Sequence, residues 1–140
     1  MLHINEDVLA QIYAHGEESY PDEGAGFLLG YDDGDQRHVA QIFITENARE
    51  DEARHNRYLV SPNEYLQAEI AAELMGLNLI GVFHSHPDHP NRPSEFDREW
   101  AQPFFSYVIT SVNEGQASES RSWRLAEDRS KFEEEKITSP

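Results

Sequence analysis

The feature that most constrains the fold is the apolar segment over residues 77–83 (LNLIGVF). An almost continuous apolar run of this length is typical of a strand covered on both faces, because a strand with one wet face alternates polar and apolar residues. Predicted helices and strands interleave around this segment, with both hairpin and crossover spacings. The sequence therefore predicts an α/β fold, a three-layer α/β/α domain with a mixed central sheet.

The remaining elements are predicted from periodicity, turns and capping residues. Apolar residues at helical spacing indicate a helix over residues 4–19. Ser61 and Glu64 form a capping-box pattern at the start of a second helix, which runs to about residue 75. A short third helix is predicted over residues 94–102. Further strands are predicted over residues 26–31, 38–45, 58–60, 104–112 and 117–125.

The length of 140 residues fits one domain with a single hydrophobic core. We expect the domain over residues 1–126 and a charged C-terminal tail over residues 127–140 that is helical or frayed. We expect the aromatic residues Trp100, Phe104 and Phe105 in the core. No segment has the pattern of a secretory signal or a membrane span, so we expect a cytoplasmic location and no membrane partner.

Composition excludes several kinds of site. The chain has no cysteine, which excludes disulfides, cysteine-based zinc sites and a cysteine nucleophile. It carries 27 acidic against 11 basic residues, for a formal net charge of −16. Nucleic-acid binding depends on cationic side chains, so we expect no nucleic-acid partner. The charge would attract a basic peptide or a small basic protein, although solubility is the simpler explanation.

The most informative motif is His84-Ser85-His86, which directly follows the predicted central strand. Residues i and i+2 of an extended chain point to the same side, so the two imidazoles project together and Ser85 faces the other way. Asp97 lies eleven residues beyond His86, at the start of the predicted third helix, after a proline-rich loop. Two histidines and one carboxylate leave a fourth position for water, as in catalytic zinc sites.

Each part of this pattern also has a structural explanation. An HxH pair alone is weak evidence for a metal. Ser94 and Asp97 have the spacing of a helix N-cap and its N3 partner, and both would then serve helix stability. The combination of a strand-end HxH, a proline loop and a carboxylate at a helix start favours a metal site. The ligand types favour zinc and also admit iron or manganese.

These residues resemble the signature of the JAMM/MPN metalloprotease family. His84-Ser85-His86-Pro87 followed by Pro93-Ser94-x-x-Asp97 is similar to that family's HxHP and SxxD motifs. The segment 23–30 (EGAGFLLG) is similar to its catalytic-glutamate segment, with Ala25 where many members carry a cysteine. The order and spacing of residues 1–112 are similar to the short, single-domain bacterial and archaeal members.

The resemblance implies a function and a role for each motif residue. It implies that His84, His86 and Asp97 bind one zinc ion per chain. It implies that Glu23 hydrogen-bonds the zinc-bound water and that Ser94 supports the oxyanion of the tetrahedral intermediate. The implied fold is similar to that of cytidine deaminases. The implied reaction is hydrolysis of an amide bond after the C-terminal Gly-Gly of a ubiquitin-like or sulfur-carrier protein.

Three alternatives to a peptidase are compared with this interpretation. A catalytically silent MPN-type binding module would have lost motif residues, and all five are present here. A zinc nucleoside deaminase needs an HxE and a PCxxC motif, which the chain lacks. A metal-dependent phosphodiesterase needs more ligands and a larger barrel than 140 residues supply. The sequence leaves the oligomeric state open.

Overall fold

The computed structural model describes residues 1–34, 36–45 and 61–139. Eight strands and three helices lie in this described part of the chain. The strands are β1 (Leu2–Ile4), β2 (Ala25–Asp32), β3 (Arg37–Thr45), β4 (Asn78–Pro87), β5 (Ser106–Asn113), β6 (Gln116–Leu125), β7 (Phe132–Glu135) and β8 (Ile137–Thr138). The helices are α1 (Glu6–Ser19), α2 (Pro62–Leu74) and α3 (Glu95–Trp100). The predicted strand over residues 58–60 falls outside the described residues, as does the polar segment over residues 46–57, whose composition indicates a loop.

The strands form one mixed sheet in the order β7-β6-β5-β4-β2-β3-β1-β8. β4 pairs with β5 in parallel and with β2 in antiparallel orientation, so it lies in the interior of the sheet. Residues 80–87 of β4 are all buried. The prediction that the apolar run forms a central strand is therefore confirmed.

The helices cover both faces of the sheet. Asn5 caps α1 by accepting a hydrogen bond from Val8 N, and the helix buries Val8 and Ile12 against one face. The Ser61 capping box starts α2, which packs on the other face. The core under α1 contains Leu2, Ile4, Leu28, Phe83 and Val108, and the core under α2 contains Phe27, Leu29, Ala68, Ala72, Val82, Phe105 and Tyr107. The three-layer prediction is confirmed.

The N-terminal boundary of the first helix was wrong by two residues. Residues 2–4 form β1, and the helix begins at Glu6. Leu2 and Ile4 point into the core under α1, while the backbone of β1 pairs in parallel with both β3 and β8. Burial of two alternating apolar side chains favours a strand here over an additional helical turn.

The prediction of a helical or frayed C-terminal tail was also wrong. Residues 132–135 and 137–138 form β7 and β8, which lie at the two opposite edges of the sheet. Only Lys136 separates β7 from β8. The two edges of the sheet therefore lie next to each other at that residue, which means that the sheet is strongly curved. The Glu135 carboxylate holds the end of β7 against β5 and β6 by accepting hydrogen bonds from Ser106 Oγ and Ser122 Oγ, at 2.9 and 3.0 Å.

Two further expectations need correction. The central strand was predicted to end at residue 83, yet β4 continues through the histidine motif to Pro87, because the parallel neighbour β5 pairs with residues 84–87. Of the three aromatic residues expected in the core, Phe105 is buried, whereas Trp100 and Phe104 are more than half exposed. None of the helices in the described ranges is long and apolar enough to cross a membrane.

Candidate metal centre

His84 and His86 lie side by side at the carboxyl end of β4. Their register partners are Ile109 and Ser111 on the parallel strand β5. Both imidazoles project from the sheet face that carries Val82, because alternate residues of a strand share a face. The two Nε2 atoms are 3.1 Å apart, and only 1% of His84 and 7% of His86 is exposed.

Asp97 reaches this pair from the first turn of α3. Its Oδ1 lies 3.4 Å from His84 Nε2, and its Oδ2 lies 3.3 Å from His86 Nε2. Asp97 also completes a capping box, because Oδ2 accepts a hydrogen bond from Ser94 N at 2.8 Å while Asp97 N donates to Ser94 Oγ at 3.1 Å. The capping role and proximity to the histidines are therefore compatible, and the cap fixes the direction of the carboxylate.

The three distances suit a tetrahedral cation. Zinc bonds to nitrogen and oxygen ligands measure about 2.0–2.1 Å, and a tetrahedron with bonds of that length has edges of about 3.3 Å. The separations among His84 Nε2, His86 Nε2 and the Asp97 carboxylate are 3.1, 3.4 and 3.3 Å. The donor set and its spacing therefore fit a divalent ion of zinc's size and ligand preference.

Burial and mutual charge set the protonation of these groups. Burial lowers the pKa of His84, and the Asp97 carboxylate only partly offsets that effect. At His86 burial acts in the same direction, but the hydrogen bond and charge of Asp97 outweigh it and raise the pKa. Burial acts to raise the pKa of Asp97, yet the two imidazoles hold it well below its usual range. A charged Asp97 and a neutral His84 are the forms that metal binding requires.

The loop after β4 orients the His86 ring. His86 Nδ1 lies 2.8 Å from the carbonyl oxygen of Pro90, so Nδ1 is the protonated nitrogen and Nε2 faces His84 and Asp97. Asn91 holds this loop by donating from Nδ2 to Glu119 O, while its own carbonyl accepts from Trp123 Nε1. The proline-rich loop thus supplies an outer hydrogen bond of the kind that fixes metal-binding histidines.

Glu23 approaches the same two histidines from the segment before β2. Carboxylate and imidazole atoms of Glu23, His84 and His86 lie within 4.8 Å of one another, and all three residues are buried. The adjoining Gly24 is fixed to the centre of the HxH motif, because Gly24 N donates to Ser85 Oγ at 2.8 Å and Ser85 N donates to Gly24 O at 3.0 Å. A Cβ at Gly24 would lie 2.4 Å from Ser19 Oγ, 3.0 Å from Ser19 Cβ and 3.1 Å from His15 Cδ2, so a larger residue would displace these side chains.

Sequence reasoning did not assign this anchoring role to Ser85. Strand alternation predicted correctly that its side chain faces away from the histidines. Its hydrogen-bond partner Gly24 lies 61 residues earlier in the chain. No local pattern indicates such a contact, which depends on the pairing of β2 with β4.

Ser94 lies at the mouth of the site. A cleft of about 460 Å³ is lined by Glu23, His86, His89, Pro90, Arg92, Ser94, Glu95 and Phe96. The Ser94 hydroxyl accepts a hydrogen bond from Asp97 N, which leaves its own hydrogen for a second partner. The predicted residues Glu23, His84, His86, Ser94 and Asp97 are thus brought together at one end of the sheet, where the cleft opens beside them.

The chain belongs to the prokaryotic JAB family. The family model described as "Prokaryotic homologs of the JAB domain" matches residues 5–126, which include all five of these residues. This family assignment and the α/β fold agree with the resemblance drawn from the HxHP and SxxD motifs.

Two curated relatives are named for the cleavage of protein conjugates. The chain is 31% identical over 109 residues to the probable TtuB-protein conjugate cleaving protease of Thermus thermophilus, covering 78% of this chain and 69% of that protein. It is 31% identical over 115 residues to the desampylase of Haloferax volcanii, covering 79% of this chain and 80% of that protein.

Solved structures have the same fold. A protein from Salinibacter ruber is 45% identical and superposes with a TM-score of 0.77, covering 99% of this chain and 91% of that one. A JAB1/MPN domain protein from Archaeoglobus fulgidus is 19% identical, with a TM-score of 0.63, covering 98% of this chain and 97% of that one. At that identity the second similarity supports the fold alone.

Proposed function

We propose that this chain is a zinc-dependent isopeptidase that hydrolyses the amide bond after the C-terminal Gly-Gly of a ubiquitin-like or sulfur-carrier protein. The observation that carries the proposal is the convergence of His84, His86 and Asp97 at tetrahedral spacing, with Glu23 beside them. The names of the two curated relatives support the reaction class and the kind of substrate.

In this proposal His84, His86 and Asp97 hold one zinc ion per chain. Bound zinc would supply Lewis acidity, which activates water and polarises a carbonyl group. The Pro90 carbonyl accepts a hydrogen bond from Nδ1 of His86, so the neutral ring presents Nε2 to the metal, and the cap on α3 keeps the Asp97 carboxylate aimed at the histidines. These contacts would hold the ligand geometry before the ion arrives, which favours tight binding.

Glu23 and Ser94 act on the substrate. Glu23 is the general base that accepts a proton from the attacking water and then delivers it to the leaving nitrogen. The Ser94 hydroxyl donates a hydrogen bond to the oxygen of the scissile carbonyl as negative charge develops there. Both residues line the same cleft, so a bound amide contacts them together.

The burial of the site explains why glycine would precede the scissile bond. Glu23, His84 and His86 are at most 7% exposed, so the amide must approach closely packed atoms. A residue without a side chain allows an extended backbone to reach that depth. A Gly-Gly tail is therefore the expected substrate segment, and a tail with bulky side chains is expected to be excluded.

The test uses a ubiquitin-like protein whose Gly-Gly tail is fused to a short peptide. Zinc-loaded protein is expected to cleave directly after the second glycine, and Glu23→Gln is expected to lose this activity while still binding zinc. Glu69→Gln changes an exposed glutamate on α2 and serves as the matched control. Undiminished cleavage by Glu23→Gln would contradict the mechanism. Tight binding of the fusion without cleavage would instead indicate the alternative function, a catalytically silent binding module.

A further inference from the structure

The acidic chain concentrates positive charge in one groove. This groove has a volume of about 520 Å³ and contains four of the 11 Lys and Arg residues of the chain. They are Arg92, Arg98, Arg121 and Lys131. Among the residues that the structure describes, two carboxylates line the same groove, those of Glu95 and Glu134. In a chain of net charge −16, a local excess of cations calls for an explanation other than solubility.

The cationic groove is continuous with the cleft at the candidate metal centre. Arg92, Ser94 and Glu95 line both depressions. A polypeptide that passes Ser94 can therefore extend directly into the groove. Any charge preference of the groove would act on residues a short distance along the chain from the scissile amide.

The cations of the groove are available to a ligand to different degrees. Arg98 is held internally by an ion pair with Glu95 and by donation to Arg129 O at 2.8 Å. With the described residues Arg121 makes two long ion pairs, at 3.9 Å to Glu119 and 3.6 Å to Glu134.

The charged groups of Arg92 and Lys131 make fewer contacts than that of Arg121. Within the described ranges, neither side chain makes a hydrogen bond or an ion pair, and both residues are exposed. Arg92 and Lys131 therefore offer charge that no hydrogen bond or ion pair in the described part of the chain engages, and the two ion pairs of Arg121 are long, at 3.6 and 3.9 Å.

We propose that the cationic groove binds an acidic segment of the chain that leaves on cleavage. This inference rests on the proposed function. The Gly-Gly tail on the other side of the scissile bond has no side chains to place in a broad cationic groove. The leaving chain does carry side chains, and carboxylates among them would pair with Arg121 and Lys131. Because the chain is acidic overall, the rest of its surface repels an acidic partner, so the cationic groove is where an acidic segment would be attracted.

Two fusion substrates test the proposal. Both join a Gly-Gly tail to a leaving peptide, with three Glu residues in one peptide and three Gln residues in the other. The wild-type enzyme is expected to favour the Glu substrate by about 5- to 10-fold in kcat/KM at low salt, mainly through KM, because exposed ion pairs contribute modestly. The preference is expected to disappear at about 0.5 M salt, where exposed charges are screened.

Charge-matched variants locate the effect. Arg121→Gln and Lys131→Gln are each expected to reduce the preference for the Glu substrate, measured as the ratio of the kcat/KM values for the two substrates. Gln11→Glu makes the same change in net charge on α1, which packs on the other face of the sheet, and is expected to preserve the preference. Equal kcat/KM of the wild type for both substrates overturns the proposal, as does an equal loss of preference in Gln11→Glu.

A binding measurement keeps the two proposals separable. Fluorescence anisotropy with the labelled leaving peptides alone requires no catalysis. Tighter binding of the Glu peptide to the wild type, and its loss in Arg121→Gln, would support binding of an acidic segment by the groove. This holds even if neither fusion is cleaved, and in that case only the proposed function fails. Equal binding of the Glu and Gln peptides would overturn the proposal that the groove binds an acidic segment. Cleavage of the fusions could still support the proposed function.

Discussion

Ser85 Oγ accepts a hydrogen bond from the backbone N–H of Gly24 at 2.8 Å, in the middle of the HxH motif. The backbone N–H of Ser85 donates in return to the carbonyl oxygen of Gly24, at 3.0 Å. This pair of bonds ties the residue between the two histidines to the residue that follows Glu23. The position of the glutamate relative to the imidazoles therefore depends on Ser85, although Ser85 itself faces away from the site.

Replacing Ser85 with alanine is expected to impair both stability and turnover. The substitution leaves the buried N–H of Gly24 without its acceptor, which costs about 1–3 kcal/mol of unfolding free energy. A small displacement of Glu23 is expected to lower kcat by about 10- to 100-fold with little change in KM. Urea denaturation and steady-state kinetics measure the two effects separately.

Ser122→Ala is the matched control for this prediction. Ser122 is also a buried serine, its hydroxyl donates to Glu135, and neither residue lines the cleft. We expect a similar loss of stability and a normal kcat at temperatures where the protein is folded. Equal kcat values for the two variants would show that Ser85 has no positioning role.

Removing the Ser94 hydroxyl separates helix capping from catalysis. Ser94→Ala loses the acceptor for Asp97 N and is expected to destabilise the protein by about 1 kcal/mol. If the hydroxyl stabilises the developing oxyanion, kcat falls by about 10²- to 10³-fold while zinc content is unchanged. Thermal unfolding, kinetics and metal analysis of the same preparation test all three outcomes.

The chain contains its own control for the capping effect. Ser61 begins α2 with the same capping box, made with Glu64. Ser61→Ala is expected to lose comparable stability without a decrease in kcat. A decrease in activity of the same size in both variants would attribute the effect of Ser94 to stability alone.

The Glu135 carboxylate is expected to be important for stability and not for activity. It accepts hydrogen bonds from Ser106 and Ser122 and lies 3.6 Å from Arg124 Nη1. Glu135→Gln is expected to cost about 2 kcal/mol, because a buried acceptor of charge-assisted hydrogen bonds becomes a neutral amide. Glu133→Gln, an exposed neighbour in β7, is expected to change the midpoint of urea denaturation little. Equal midpoints for the two variants would rule out this role.

The layered fold could be predicted because its signals are local. The apolar run over residues 77–83, the helical periodicity of α1 and the capping box of α2 each lie within one segment. The short strands β1, β7 and β8 could not be predicted in this way. The pairing of β1 with β8 joins Leu2 with Ile137 across the length of the chain, and strands of two to four residues carry too little periodicity to be identified.

The site was predictable to different degrees. The shared direction of His84 and His86 follows from strand alternation alone. The approach of Asp97 depends on the path of the loop between β4 and α3; its place at a helix start after the proline-rich loop favoured it, and the resemblance to a family strengthened that prediction. The cationic groove was not predicted, because Arg121 on β6 and Lys131 beyond that strand are brought to Arg92 by tertiary structure.

Elemental analysis of zinc in purified variants tests the central claim most directly. After loading and gel filtration, the wild type is expected to retain one zinc per chain. Mutating a residue that only hydrogen-bonds a metal ligand typically lowers metal affinity by about 10- to 100-fold. Changing a ligand itself, as in His84→Ala or Asp97→Asn, is therefore expected to lower zinc affinity by more than about 100-fold. Glu23→Gln is expected to retain zinc fully. Zinc-free wild type, or zinc lost from Glu23→Gln but kept by Asp97→Asn, would contradict the account.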